Sequence, residues 1–99
     1  MNENEQARFL KCIGEPTRLR ILKLLTNGSK CVGNIVEATN KEQSLVSHHL
    51  RALKACNIVV SRQEAQKIYY KLADPRLAEL VFMIERVVTE LPLDLSEEV

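Results

Sequence analysis

Five residues between positions 43 and 51 have side chains suited to reading a nucleic acid. Gln43, Ser44, Ser47, His48 and Arg51 offer hydrogen-bond donors, acceptors and one fixed cation, with no carboxylate among them. Placed on a helix, Ser44, Ser47, His48 and Arg51 fall within about 100° of one another, while Val46, Leu50 and Leu53 form an apolar stripe about 60° wide on the other side. Such a helix buries one face and offers the other to phosphates and base edges. Arg51 and Gln43 suit bases or phosphates; the serines and His48 suit phosphates or base edges. An arginine forked onto a guanine contributes about 1–3 kcal/mol of discrimination. A merely solvated face usually carries glutamate as well as cations.

Two other groups could do chemistry. His48 and His49 are adjacent, so on a helix their side chains diverge by about 100°, whereas ligation from one face needs spacings of three or four. His49 is expected at the helix edge toward the core. The three cysteines, Cys12, Cys31 and Cys56, are odd in number and not closely paired, which argues against a disulfide scaffold and suits a reducing cytoplasm. They read either as small buried hydrophobes or as a thiol sensor centred on Cys31, with Cys12 or Cys56, for a thiophilic metal ion, an oxidant or a sulfide donor.

The elements that position these residues must fit into 99 residues, 45% hydrophobic and 27% charged. That length predicts one domain over residues 1–99. No apolar run reaches the roughly 18 residues of a membrane span, and the first eight are too polar for a secretory signal. The formal net charge is only +1, but it is unevenly spread. Residues 1–40 carry a balance of +2, residues 41–71 carry +4 and residues 72–99 carry −5. A basic working surface with an acidic end turned elsewhere follows from that asymmetry.

Residues 1–6 read as polar and frayed. Phe9, Leu10 and Ile13 predict a short helix over 7–13, ended by Gly14. Pro16 suits the first turn of a second helix, which Asn27-Gly28 stops. A short helix follows from Cys31 or Val32 to about Thr39, then a tight connection, then a helix over 43–56. After Asn57 the β-branched and aromatic stretches 58–62 and 68–72 flank a polar segment, which predicts a hairpin. Its polar tip carries Arg62, Gln63, Gln66 and Lys67. Asp74 and Pro75 open a last helix, as N-cap and first residue, that runs to Leu91 with Leu77, Leu80, Ile84 and Val87 on one face. Pro92 ends it, and residues 92–99 read as a loose acidic tail. The order α-α-α-α-β-β-α, mainly α with a β-hairpin, describes a winged helix-turn-helix whose hairpin reaches an adjacent backbone or minor groove. The last helix is too broadly apolar for one contact, and Phe82 and Met83 widen its face. Pairing with the first helix predicts a two-fold dimer through Phe9, Leu10, Ile13, Leu77, Leu80, Ile84, Val87 and Leu91. Its recognition helices would then lie about 34–36 Å apart.

The residues also resemble a known family. Gly14-Glu15-Pro16-Thr17-Arg18-Leu19-Arg20-Ile21-Leu22 is similar to the opening signature of ArsR/SmtB repressors, Val46-Ser47-His48-His49-Leu50-Arg51-Ala52-Leu53 to their recognition helix, and Ile68-Tyr69-Tyr70-Lys71-Leu72 to their second wing strand. The matches span residues 7–91 in order. The resemblance implies a homodimeric, cytoplasmic repressor that binds double-stranded operator DNA through Gln43, Ser44, Ser47, His48, Arg51, Arg62, Gln63 and Lys67, and leaves it when an inducer binds.

Departures from the family pattern bear on the inducer. The family's third-helix thiolate motif has cysteines two residues apart; here Cys31 keeps the first and Gly33 replaces the second. Its zinc site on the last helix is matched by Asp74 and Glu90, but Arg76 and Val87 stand where histidines are expected. No metal ligand set is therefore assigned, and a thiophilic ion at the cysteines is the cofactor that stays open. Ala65 stands where family wings place a glycine, which predicts a wider or differently turned tip. Two rival readings are a winged helix that binds protein rather than DNA, which the acid-free outer face disfavours, and a small enzyme using Cys31 or Cys56 with a histidine. The latter needs a pocket and oxyanion site that so short a helical chain hardly builds.

Overall fold

The computed structural model describes residues 2–96. The chain forms α1 (Glu3–Ile13), α2 (Pro16–Leu25), β1 (Lys30–Cys31), α3 (Val32–Thr39), α4 (Gln43–Ala55), β2 (Val59–Glu64), β3 (Lys67–Leu72) and α5 (Pro75–Glu90). None of these helices is long and apolar enough to cross a membrane.

The expectation of a frayed start over residues 1–6 is corrected. Asn2 caps α1 by accepting from the Glu5 amide at 3.0 Å, and the Glu5 carboxylate accepts from the Asn2 amide at 3.4 Å. This reciprocal capping box satisfies two of the helix's free donors, so polar residues that lack an apolar face still begin a helix. Met1 lies outside the described residues. Gly14 ends α1 where a Cβ would sit 3.0 Å from the Leu10 carbonyl oxygen, too close for another residue without a shift. Glu15 then caps α2 by accepting from the Arg18 amide at 2.9 Å, with Pro16 in the first turn as expected.

Ile21 and Leu22 of α2, Ile35 of α3, Val46, Leu50 and Leu53 of α4, and Ile58 and Val59 at the start of the hairpin are almost fully enclosed. Each such side chain contributes about 1.5–3 kcal/mol by leaving water. Val81 of α5 and Cys12 and Ile13 of α1 close the same cluster. Between α3 and α4, Asn40 takes the left-handed conformation (φ 56°), which turns the chain sharply from one helix into the next. At the end of α4, Asn57 does the same (φ 62°). There the Asn57 amide donates to the Lys54 carbonyl at 2.9 Å and the Ile58 amide to the Leu53 carbonyl at 3.0 Å. This paired closure aims Ile58 into the core and the following residues into β2.

β3 lies between β1 and β2, and both pairings are antiparallel. β1 was not among the expected elements; a two-residue strand has no periodicity to betray it. It pairs Lys30 with Tyr70 and Cys31 with Tyr69. The wing registers Val59 against Leu72 and closes Glu64 against Lys67, so Ala65 and Gln66 alone make the turn. The expected wider tip is corrected: Ala65 adopts φ 58° in a two-residue turn, carrying the strain that a glycine would avoid. Pro92 follows the end of α5 as expected. Residues 93–95 are without regular structure, and 97–99 of the expected tail lie outside the described residues.

Candidate nucleic-acid interface

Three buried aliphatic residues fix the rotation of α4. Val46, Leu50 and Leu53 turn inward, which leaves Gln43, Ser44, His48 and Arg51 exposed and Ser47 half-buried. Ser44, Ser47, His48 and Arg51 thus share one outward side, with Leu45 (39% exposed) at its edge, and Gln43 stands exposed as the first residue of the helix. His48 and His49 part as their spacing requires. Their rings meet edge to face at 5.2 Å, one in solvent and the other buried.

His49 takes the core position expected of it and acquires partners that the sequence did not reveal. Arg18 donates from Nε to His49 Nδ1 at 3.0 Å and from Nη1 to the Cys12 carbonyl at 3.1 Å. A ring nitrogen that accepts from arginine is unprotonated, so the imidazole is neutral with its proton on Nε2. Burial holds its pKa below the ordinary 6.5, against the attraction of Glu15, whose carboxylate lies 3.8 Å from Nε2. For Glu15 itself burial acts upward, but the Arg18 amide, the ring and the neighbouring cation together keep it below the ordinary value. The cluster joins the start of α2 and the end of α1 to the middle of α4. It holds α4 at its angle from the buried side.

The wing is fastened to the same helix by Lys54, whose Nζ lies 2.8 Å from Ser61 Oγ. Strand alternation divides the expected wing residues between faces. Arg62 and Lys67 share the outer face with Tyr69 and Lys71, whereas Gln63 lies opposite Ile68 on the other face. Arg62 stacks its guanidinium 5.0 Å above the Tyr69 ring and donates to Ser29 Oγ at 3.2 Å, with Glu64 at 3.5 Å. Lys71 was missing from the expected set. Its place two residues beyond Tyr69 and its charge were both readable from the strand pattern.

At the other end, the expected dimer residues divide. Ile13, expected at the dimer face, is 4% exposed and packs in the protomer's own core. Phe9, Leu77, Leu80 and Ile84 are half-buried against that core. Leu10, Val87 and Leu91 are exposed, joined by Met83 on the same side of α5, and they make up an uncovered apolar strip; Phe82 is exposed on the opposite side of that helix, and Val88 flanks the buried Val81.

The carboxylates that matched the family's zinc ligands are engaged by arginines. Arg76 forks onto Asp74 at 2.8 and 3.1 Å, and this hydrogen bonding lowers the carboxyl to about 2. Arg86 reaches Glu90 at 3.3 Å. Among the described residues no three His, Cys, Asp or Glu side chains converge as a metal site. Cys31 stands at the N-cap position of α3 without a capping bond from its side chain, and its thiol donates to Asn34 Oδ1 at 3.0 Å. The thiol beside Cys12 is that of Cys56, not Cys31.

A three-helix core with a helix-turn-helix, a half-buried recognition helix and a basic hairpin packed beside it defines a DNA-binding winged helix. The match extends to sequence. The family model described as bacterial regulatory protein, arsR family, covers residues 15–61, from the cap of α2 into the wing. An HTH-type transcriptional regulator from Methanocaldococcus jannaschii is 42% identical over 82 residues, spanning 82% of this chain and 92% of its own length. A probable mercury resistance operon repressor from Streptomyces lividans is 36% identical over 77 residues, spanning 78% of this chain but 62% of its own length. Among solved structures, the homodimeric winged helix-turn-helix DNA-binding domain of a possible ArsR-family regulator from Mycobacterium bovis superimposes with a TM-score of 0.80 at 33% identity, covering 88% of this chain and 81% of that one. The chain belongs to the ArsR family and is a transcriptional regulator of the ArsR/SmtB type.

Proposed function

We propose that the chain is a homodimeric repressor that binds a palindromic operator and leaves it on meeting an inducer sensed elsewhere than the family's interhelical zinc site. The observation that carries this reading is the acid-free outer side of α4, held beside a wing face that presents Arg62, Lys67 and Lys71 against one carboxylate, Glu64. Gln43, Ser44, Ser47, His48 and Arg51 enter the major groove, while Arg62, Lys67 and Lys71 follow the adjacent backbone from one face of the wing and Gln63 from the other. Phosphate contacts supply most of the affinity, and the acidic residues of α5 stay clear of the DNA.

The uncovered strip of Leu10, Met83, Val87 and Leu91 supports the dimer, because monomeric proteins rarely leave large apolar patches in water. The homodimeric state of the Mycobacterium bovis domain and the repressor role of the Streptomyces relative point the same way. The carboxylates Asp74 and Glu90, each bound by an arginine, favour a signal other than zinc at α5. A gel shift on the DNA upstream of the chain's own gene, with and without arsenite, copper(I), zinc and a persulfide donor, tests the reading. Binding of a specific duplex by the dimer, relieved by one of these or by an oxidant, is the expected result. Failure to shift any upstream duplex while the folded chain captures a protein partner would replace it with the protein-interaction reading.

A further inference from the structure

Cys12 and Cys56 converge on one point of the molecule from two different helices. The Cys12 thiol lies 3.7 Å from the carbonyl oxygen of Ala52, and the Cys56 amide donates to the same oxygen at 3.2 Å. Cys12 belongs to α1, which contributes Leu10 to the uncovered strip. Cys56 is the residue on which α4 ends. The two thiols are neighbours, but their surroundings differ: Cys12 is buried in the core and Cys56 is exposed. Cys56 opens onto a cleft of about 420 Å³ whose walls include Phe9, Asn57, Arg76 and Leu77. Packing alone accounts for a buried Cys12. It does not account for a second cysteine placed against the first with one side in solvent.

We propose that Cys12 and Cys56 are a dithiol switch, closed to a disulfide by a hydroperoxide, that ties the dimer helix α1 to the end of the recognition helix α4. The exposed sulfur reacts first. The Cys56 thiolate attacks the peroxide oxygen, the O–O bond breaks, and the departing alkoxide or hydroxide takes up a proton, leaving a sulfenic acid on Cys56. The Cys12 sulfur then attacks the Cys56 sulfur and the S–O bond breaks. The hydroxide released takes the Cys12 proton and leaves as water. Two thiols and one hydroperoxide give one disulfide, one alcohol (water, if hydrogen peroxide is used) and one water, with two electrons passing from the sulfurs to the peroxide. Burial, with Cys56 beside it, raises the Cys12 thiol to about 11, which keeps it protonated at neutral pH and leaves the first attack to Cys56.

Closing the bond draws Cys56 toward α1 and disturbs the carbonyl of Ala52, on the last turn of α4. The neighbouring closure around Asn57 fixes where the wing departs, so helix and wing shift together relative to the dimer strip. This consequence for DNA rests on the repressor reading; the bond itself does not.

The test treats the reduced dimer with hydrogen peroxide and measures two things separately. Peptide mass spectrometry should find Cys12 joined to Cys56 in the parent and in Cys31→Ser, and in neither Cys12→Ser nor Cys56→Ser. Duplex affinity should fall at least tenfold on oxidation of the parent and of Cys31→Ser, recover with a dithiol reductant, and stay constant in Cys56→Ser, whose exposed position leaves the fold intact. Absence of the Cys12–Cys56 bond in a chain that stays folded by circular dichroism would overturn the proposal, as would an equal loss of affinity in Cys56→Ser. A reduced chain that binds no duplex contradicts the repressor reading instead, and the mass spectrum still decides the disulfide.

Discussion

Arg18 donates from Nε to Nδ1 of His49 at 3.0 Å, so the first turn of α2 holds the middle of the recognition helix from behind. The residues facing DNA stand on one side of α4, and this contact on the other determines where that side points. Replacing Arg18 by alanine leaves His49 Nδ1 and the Cys12 carbonyl without partners. A buried polar group so exposed costs about 1–3 kcal/mol. Urea denaturation of Arg18→Ala should therefore show a loss of that order, and duplex affinity should fall even at temperatures where the variant stays folded.

The same cluster sets a pH dependence. The folded pKa of His49 lies below the ordinary 6.5, so between those values the unfolded chain binds more protons than the folded one, and stability rises with pH. His49's contribution is whole above about 6.5 and is lost as the pH falls toward the folded value. Glu15, held below 4.5, adds its own loss only in more acid solution. Urea midpoints measured between pH 7 and pH 5 should decline for the parent and decline less for His49→Gln. An equal slope in both would remove His49 from the account.

The apolar strip distinguishes two kinds of leucine and isoleucine substitution. Leu10→Glu or Leu91→Glu places a charge on a surface exposed in the protomer, so sedimentation should show folded monomers. Ile13→Ala instead opens a cavity in the protomer's core and should cost about 2–5 kcal/mol of stability. A parent chain that sediments as a monomer would contradict the dimer.

Ala65 offers a prediction of the opposite sign. A left-handed alanine costs about 1–2 kcal/mol, whereas glycine at that site loses about 0.4–1 kcal/mol of unfolded-state advantage. Ala65→Gly should accordingly raise stability by roughly 0.5–1 kcal/mol, with the wing's register unchanged in amide exchange.

Periodicity made the helices legible, because Val46, Leu50 and Leu53 repeat at helical spacing and bury as a set. The exposed side of α4 and the helix starts at Pro16 and at Asp74-Pro75 followed from local chemistry. Three features escaped for physical reasons. The start of α1 depends on the reciprocal Asn2–Glu5 cap, which carries no apolar signal. β1 is too short to show alternation and exists only because β3 offers it an edge. The pairings of Arg18 with His49 and of Cys12 with Cys56 join residues 31 and 44 positions apart, and only the packed core brings them together. The core position of Ile13 was illegible for a related reason: apolar spacing shows that a face is buried, but not whether its own core or a second copy covers it.

The salt dependence of duplex binding, for the parent and for Arg51→Ala, Lys67→Ala and Lys71→Ala, tests the central claim most directly. If the dimer neutralises about 6–10 phosphates through α4 and the wing, affinity falls about 10³–10⁵-fold between 50 and 200 mM salt. Each lysine variant removes one phosphate contact from each of the two protomers and should lower the slope by about two, and Arg51→Ala should weaken binding far more than it weakens folding. An affinity indifferent to salt, or an Arg51→Ala variant that loses binding only in step with its fold, would contradict it.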